Sequence, residues 1–198
     1  MIKSENVTLQ ELKQNFVKEI ENLGGKSFLI EEKEVDSNLE AILSDTINKL
    51  VVYQTPLIDE LILKTFLSEN KNFSVEWLPA NKPSDFNEKD YRQKMIQADA
   101  GLVAADYLIA DTGTIVLYDE NHRAQLVTLL PPTLIVLATT KQLTPDLFSL
   151  NTILKNKDIQ NFPNLHYITG PSRTSDIEKT LILGVHGPVK LYVLLVEK

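Results

Sequence analysis

Apolar residues recur at three- and four-residue steps near the start of the chain, and this spacing predicts an amphipathic helix over about residues 8–23. Thr8 and Glu11 have the spacing of a capping box, and Gly24-Gly25 provides a stop. The predicted inner face consists of Leu9, Leu12, Phe16, Ile20 and Leu23.

After this helix, short apolar runs alternate with helical patterns. This alternation favours a mostly parallel sheet with helices on both faces. We therefore predict an α/β fold, a three-layer α/β/α open sheet in a single domain over residues 1–198. Helices are expected at 37–50, 56–68, from 85 and from 144, and strands at 26–30, 51–53, 73–78, 133–138, 165–168 and 191–196.

Residues 169–188 have a pattern typical of a turn, a short helix and a second turn. Gly170-Pro171 ends the strand, and Ser175 with Glu178 fits a capping box, so a helix is expected to run to Gly184. Arg173 then precedes a helix N-terminus, where backbone amides favour an anion. Alternatively, the Arg173 side chain pairs with Asp176 or Glu178, or lies in solvent.

An acidic turn interrupts the apolar stretch 98–118. Asp111 stands between predicted strands, followed by two hydroxyls and by Gly113, which allows close approach of another backbone or a ligand. A carboxylate there is a candidate base, nucleophile or ligand acceptor, because a buried acid needs a partner. The alternative is that Asp111 holds the turn through nearby amides.

The remaining candidates are histidines and one arginine in predicted turns. His122 and Arg123 are expected to be solvated, in a polar turn between two strands. His186 is a candidate pocket donor or proton carrier, or else a turn residue bonded to backbone. The predicted site has Asp111 as candidate catalytic residue, with Thr112, Gly113, Thr114, Ser172, Arg173, Thr174 and His186 as ligand-binding residues.

Charge and residue composition disfavour several classes of function. The formal net charge is −7 without a basic block, which disfavours binding to nucleic acid or to an anionic membrane surface. The 198 residues contain no cysteine, so this sequence supplies no disulfide and no thiolate ligand. The three histidines lack the spacing of a metal site. No apolar run is long enough to span a bilayer, and the start of the chain lacks the pattern of a secretory signal, so we expect a cytoplasmic protein.

Three segments in order resemble a known family. GLVAADYLIADTGTIVL, LVTLLPPTLIVL and ITGPSRTSDIEKTLILGVHGP are similar to the lactate-utilisation protein C (LutC/YkgG) family, whose domain is the LUD domain. The resemblance covers most of residues 90–198 closely, and the first 80 residues only in their helix–strand rhythm. It implies a fold like that of the ribose-phosphate isomerase, glucosamine-phosphate deaminase and coenzyme A transferase group.

The resemblance also implies a function. It predicts an accessory subunit, without a cofactor of its own, that takes part in oxidising L-lactate to pyruvate beside partner subunits that carry iron–sulfur clusters. The family usually has glutamate where this chain has Asp111, and often glycine where it has Ala104. A carboxylate one methylene shorter favours a bracing or ligand-holding role over an obligatory catalytic one.

Two other functions stay open at this point. The first is a stand-alone enzyme or binding module for a small anionic metabolite, such as a sugar phosphate or an acyl-coenzyme A, held by Arg173 at the predicted helix N-terminus. The second is a non-catalytic regulatory domain with a filled pocket.

Overall fold

The computed structural model describes residues 7–43, 46–62, 67, 72–79, 87–118, 123–156, 164–175, 181–183 and 187–198. The helices are α1 Leu9–Asn22, α2 Val35–Leu43, α3 Pro56–Leu61, α4 Glu88–Ile96, α5 Arg123–Leu129 and α6 Leu147–Asn156. The strands are β1 Lys26–Glu31, β2 Lys49–Gln54, β3 Ser74–Pro79, β4 Ala100–Ala104, β5 Tyr107–Ile109, β6 Thr114–Tyr118, β7 Thr133–Thr139, β8 Leu143–Thr144, β9 Leu165–Thr169, β10 Arg173–Ser175, β11 Leu181–Leu183 and β12 Lys190–Glu197.

A six-stranded parallel sheet forms the centre of the fold, in the order β1-β12-β7-β4-β2-β3. Its inner strands are almost wholly buried, and every residue of β4 and β7 is inaccessible to solvent or nearly so. Strands covered on both faces must be apolar throughout, which explains why these segments appear in the sequence as continuous hydrophobic runs. The predicted α/β class and mostly parallel sheet are confirmed.

Alternate residues of each central strand enter two separate cores. On β12, Val193 and Leu195 face a core shared with α1, α4 and α5, while Leu194 and Val196 face a core shared with α2 and α3. This alternation follows from the two-residue repeat of a strand. The central sheet therefore has helices on both faces, as predicted.

A second, four-stranded sheet was not predicted from the sequence. The order of its strands is β8-β5-β6-β9. Leu108, Ile115 and Leu117 on its inner face pack in the same hydrophobic core as α1 and one face of the central sheet. Helix α6 covers its outer face, where Leu150 and Leu154 pack with Ile109 and Val116. β5 and β6 are antiparallel and joined by the Asp111 turn, so this sheet determines where the candidate site lies.

The amphipathic helix at the start of the chain is confirmed as α1. Thr8 is its N-cap, and the reciprocal bonds with Glu11 form the predicted capping box. Leu12, Phe16 and Ile20 are buried against the central sheet, whereas Leu9 is 52% exposed. The helix ends at Leu23, the C-cap residue, before the turn at Gly24.

Three other element predictions are wrong in part. α2 ends at Leu43, and Lys49 already begins β2, so no helix extends to residue 50. Residues 123–129 form α5, and not a strand, because Ala124 and Val127 recur at helical spacing and both face the core. Thr144 lies in β8, and Asp146 accepts the amide of Ser149 at the start of α6, two residues later than predicted.

The helix predicted over 175–183 is replaced in the described residues by an antiparallel strand pair. Arg173 pairs with Leu183, and Ser175 pairs with Leu181. The capping-box pattern is local, and pairing between two three-residue segments overrides it. Arg173 therefore lies in a strand and not in the predicted turn, and residues 176–180, where the helix was expected to begin, lie outside the described residues.

Candidate functional site

The Asp111 turn connects β5 to β6 and is anchored by its backbone. The amide of Asp111 donates to the carbonyl oxygen of Pro145 at 3.1 Å. The side-chain Oδ1 is shielded from solvent, and no described residue donates a hydrogen bond to this oxygen. Among the described residues, then, the carboxylate does not brace the turn through amides. A shielded carboxylate oxygen is unfavourable without a donor, which suits a role in holding a ligand.

Three threonine hydroxyls form a chain beside Asp111. The Thr114 hydroxyl lies 2.8 Å from that of Thr112 and 2.8 Å from that of Thr169, which is on β9. Thr114 is 6% exposed, so its proton needs an acceptor within the protein. If Thr114 donates to one neighbour and accepts from the other, one terminal hydroxyl keeps a donor that points out of the chain. This chain therefore offers both a hydrogen-bond donor and an acceptor to a ligand.

Gly113 brings this turn against helix α1. Its φ of +60° lies in the left-handed region, and a Cβ there would come within 2.9 Å of the Ile20 amide nitrogen and 3.0 Å of the Glu19 carbonyl carbon. A side chain is thus excluded both by backbone conformation and by the adjacent helix. The glycine predicted to permit close approach does so, and the approaching backbone is that of α1.

Arg173 contacts the end of the same helix. Its guanidinium donates a hydrogen bond to the carbonyl oxygen of Leu23, the C-cap residue of α1. A helix C-terminus carries partial negative charge and unsatisfied carbonyls, so a cation is favourable there. Neither a salt bridge to Asp176 nor an anion is needed to explain the position of this side chain.

Of the other predicted site residues, the structure describes Ser172 and the backbone of Thr174. The amide of Ser172 donates to the carbonyl oxygen of Pro188 at 2.8 Å, which links the residue before β10 to the residues before β12. The backbone of Thr174 pairs with Ile182 in the strand pair. The side chain of Thr174 and the whole of His186 and His122 lie outside the described residues. The structure thus brings the Asp111 turn and Arg173 to one region, the C-terminal part of α1.

Two contributors to this region were missed by reasoning from the sequence. Thr169 completes the threonine chain, and the Leu23 carbonyl accepts from Arg173. Both depend on pairing between distant segments. The one available signal was Thr169 in an alternating strand just before Gly170-Pro171.

Arg123 was expected to be solvated, and this prediction is wrong. The residue is 3% exposed, and its Nη1 donates to the Pro79 carbonyl oxygen at 3.0 Å, at the carboxyl end of β3. The hydroxyl of Tyr91 donates in turn to the Arg123 carbonyl oxygen at 3.1 Å. A buried guanidinium needs a carbonyl acceptor such as that of Pro79. The bond to Pro79 ties α5 to β3, and the bond from Tyr91 ties α4 to α5.

Neither a metal cluster nor a membrane-spanning helix is found in the part of the chain that the structure describes. No three histidine, aspartate or glutamate side chains there come together in a geometry that could hold a metal ion. No described helix is long and apolar enough to cross a membrane.

Comparison with known proteins identifies relatives over most of the chain. Residues 13–196 match the LUD domain family, so the similarity extends well into the first 80 residues. Lactate utilization protein C of Halalkalibacterium halodurans is 31% identical over 171 residues, which cover 84% of this chain and 69% of the relative. The protein of that name from Bacillus subtilis is 30% identical, over 75% of this chain and 62% of the relative.

A third relative and one solved structure are also similar to this chain. Lactate utilization protein C of Bacillus velezensis is 38% identical over 53% of this chain and 45% of its own length, so the chain spans about half of that relative. A DUF162 family protein from Deinococcus radiodurans superimposes with a TM-score of 0.67 at 21% identity, covering 96% of this chain and 99% of that protein. The superposition supports the α/β fold described above.

Proposed function

Because the chain belongs to the LUD domain family, we propose that it takes part in lactate utilisation, as an accessory component of a system that oxidises L-lactate to pyruvate. The observation that carries the proposal is the match over residues 13–196, together with relatives named lactate utilization protein C. We further propose, from the resemblance to the lactate-utilisation protein C family, that iron–sulfur clusters reside in partner subunits. The absence of cysteine from these 198 residues fits a component that supplies no thiolate ligand.

The geometry around Asp111 supports binding of a small hydroxy acid. Asp111 has a shielded carboxylate oxygen that lacks a donor among the described residues, and the threonine chain keeps one outward hydroxyl donor. A 2-hydroxy acid carries both complementary groups, a hydroxyl that donates and a carboxylate that accepts. In this proposal Asp111 holds and orients the hydroxyl, and Thr112 or Thr169 binds the carboxylate.

Partner association is tested by an anaerobic pull-down of the tagged protein from its native cell. We expect cysteine-rich proteins in the eluate by mass spectrometry and the broad visible absorbance of iron–sulfur clusters. A colourless eluate without such proteins, obtained after chemical crosslinking in the cell, would contradict the proposed complex.

The role of the Asp111 region is tested by complementation. A strain that lacks the gene should grow poorly on L-lactate, and the wild-type gene should restore growth. Asp111→Asn and the double variant Thr112→Val/Thr169→Val should restore it only in part. Asp90→Asn, a change at an exposed position of α4, serves as the matched control and should restore growth fully. Full rescue by every variant would remove the Asp111 region from the function while leaving the family role intact.

A further inference from the structure

A cavity of about 290 Å³ opens at the amino edge of the central sheet, and none of its lining residues belongs to the Asp111 turn. It lies between the first residues of β1, β12 and β7 and the second half of α2. Its volume is at the lower end of that of small-molecule sites in proteins. The lining residues that matter here are Lys26, Asn38, Thr133, Lys190 and Tyr192.

Strand register places two lysines on the same face of the sheet at this edge. Lys26 on β1 is aligned with Tyr192 on β12, and Lys190 precedes Tyr192 by two residues, so all three side chains point to the α2 side. Residues two apart on a strand lie about 7 Å from each other. Of the described residues, none forms an ion pair with either lysine. The cavity therefore has two ammonium groups in a chain whose net charge is −7.

A threonine also lines the cavity. Thr133 is adjacent to Lys190 in the strand register and is only 5% exposed. Its backbone amide donates to the carbonyl oxygen of Asp99 at 3.3 Å. Because Thr133 lines the cavity, its hydroxyl can bond with an occupant of the cavity.

The surroundings suit an anion with an apolar portion. Lys26 Nζ lies 5.8 Å from the centroid of the Tyr192 ring, close enough for a cation–π contact that holds the ammonium at the cavity. Phe28 and Ile42 add an apolar wall. The carboxylate of Asp99, at the same edge of the sheet, accepts the amides of Asn48 and Lys49 at 2.8 and 2.9 Å and is thereby directed toward the start of β2.

We propose that this cavity binds a small molecule that carries a phosphate group. Lys26 and Lys190 neutralise the two charges of the phosphate, and Thr133 donates a hydrogen bond to its oxygens. Asn38 contributes its second amide hydrogen, because its side-chain nitrogen already donates to the Glu34 carbonyl oxygen at 2.8 Å. The ring of Tyr192 and the apolar wall contact the remainder of the ligand. This site is separate from the Asp111 region, so it stands or falls independently of the proposed role in lactate utilisation.

The test uses the whole chain, with inorganic phosphate and phenyl phosphate as probes in isothermal titration calorimetry and in amide-resonance titrations. We expect saturable binding of both, with phenyl phosphate the tighter because it also contacts the apolar wall. The perturbed amides should fall at residues 26–28, 38–42 and 190–192. Absence of saturation at millimolar concentration, or perturbations confined elsewhere, would overturn the proposal.

Variants separate the site from general electrostatics. Lys26→Gln and Lys190→Gln should each weaken phenyl phosphate binding about tenfold or more, since each removes a charge-assisted hydrogen bond. Lys49→Gln is the matched control, because Lys49 begins the neighbouring strand β2 and does not line the cavity. An equal loss of affinity in Lys49→Gln, or none in Lys26→Gln/Lys190→Gln, would overturn the assignment.

Thr133→Val distinguishes binding from folding. Replacing the hydroxyl with a methyl group of similar size should leave the melting temperature of the unliganded protein nearly unchanged. The same change should weaken phenyl phosphate binding about fivefold, through loss of one neutral hydrogen bond. Unchanged affinity in a folded Thr133→Val variant would exclude the hydroxyl from the site.

Discussion

The guanidinium of Arg173 donates a hydrogen bond to the carbonyl oxygen of Leu23, 150 residues earlier in the chain. This contact joins the C-terminus of α1 to β10. Gly24 makes room for it, since its φ is +86° and a Cβ there would lie 2.7 Å from an Arg173 Nη atom. The residue most suggestive of an anion site in the sequence is thus engaged in capping a helix.

Replacing Arg173 is expected to lower stability. Arg173→Ala removes a charge-assisted bond to a helix C-terminus and should reduce the free energy of unfolding by about 0.5–1.5 kcal/mol, a modest value because the side chain is exposed. Arg173→Lys keeps the charge and should lose less. Urea denaturation of the three proteins tests this, and an Arg173→Ala variant as stable as wild type would contradict the capping role.

Gly113→Ala should be more damaging than Gly24→Ala. Both residues have positive φ, which disfavours alanine by about 1–2 kcal/mol. At Gly113 the new methyl group also meets backbone atoms of Glu19 and Ile20, whereas at Gly24 it meets the movable end of Arg173. We expect a loss above about 2 kcal/mol for Gly113→Ala and a smaller loss for Gly24→Ala. Equal melting temperatures for the two variants would show that the contact with α1 is unimportant.

The threonine chain should contribute to stability mainly through its buried central member. Thr114→Val deletes two hydroxyl contacts and should reduce the free energy of unfolding by about 1–2 kcal/mol. Thr112→Val, at the exposed end, is the control and deletes one contact, so its effect should be smaller. A double-mutant cycle between Thr114 and Thr169 measures the pair directly, and additive effects would show that the two hydroxyls do not interact.

The capping box of α1 should make stability depend on acid pH. The backbone amide of Thr8 and then its hydroxyl donate to the Glu11 carboxylate, which lowers the pKa of that group below its ordinary value of 4.5. A lowered pKa contributes stability above the value of the unfolded chain, and this contribution disappears as pH falls through the folded value. Carboxyl titration by NMR should therefore place the midpoint of Glu11 below 4.5.

A matched variant isolates this pH effect. Glu11→Gln can keep the geometry of the capping box but does not titrate. Wild type should be more stable than this variant near neutral pH, and the difference should vanish in acid. A constant difference from pH 6 to pH 3 would show that the Glu11 charge does not contribute.

Local sequence patterns determined the elements whose bonds are local or whose burial is complete. Thr8 and Glu11 are three residues apart, so the capping box and the start of α1 could be predicted directly. Strands such as β7 are buried on both faces, and continuous apolar runs indicated them. The α/β class follows from such segments because they alternate with helices along the chain.

Tertiary structure alone decided the features that join distant segments. Residues 173–175 and 181–183 are too short for local propensity to select a helix or a strand, and their mutual pairing made them strands. Thr114 meets Thr169 across 55 residues, and Arg173 meets Leu23 across 150. Capping and turn patterns depend on neighbours three or four residues away, whereas these contacts depend on how the second sheet packs against α1. The sequence thus determined the fold class and the acidic turn, and the packing of that turn on α1 determined the surroundings of Asp111.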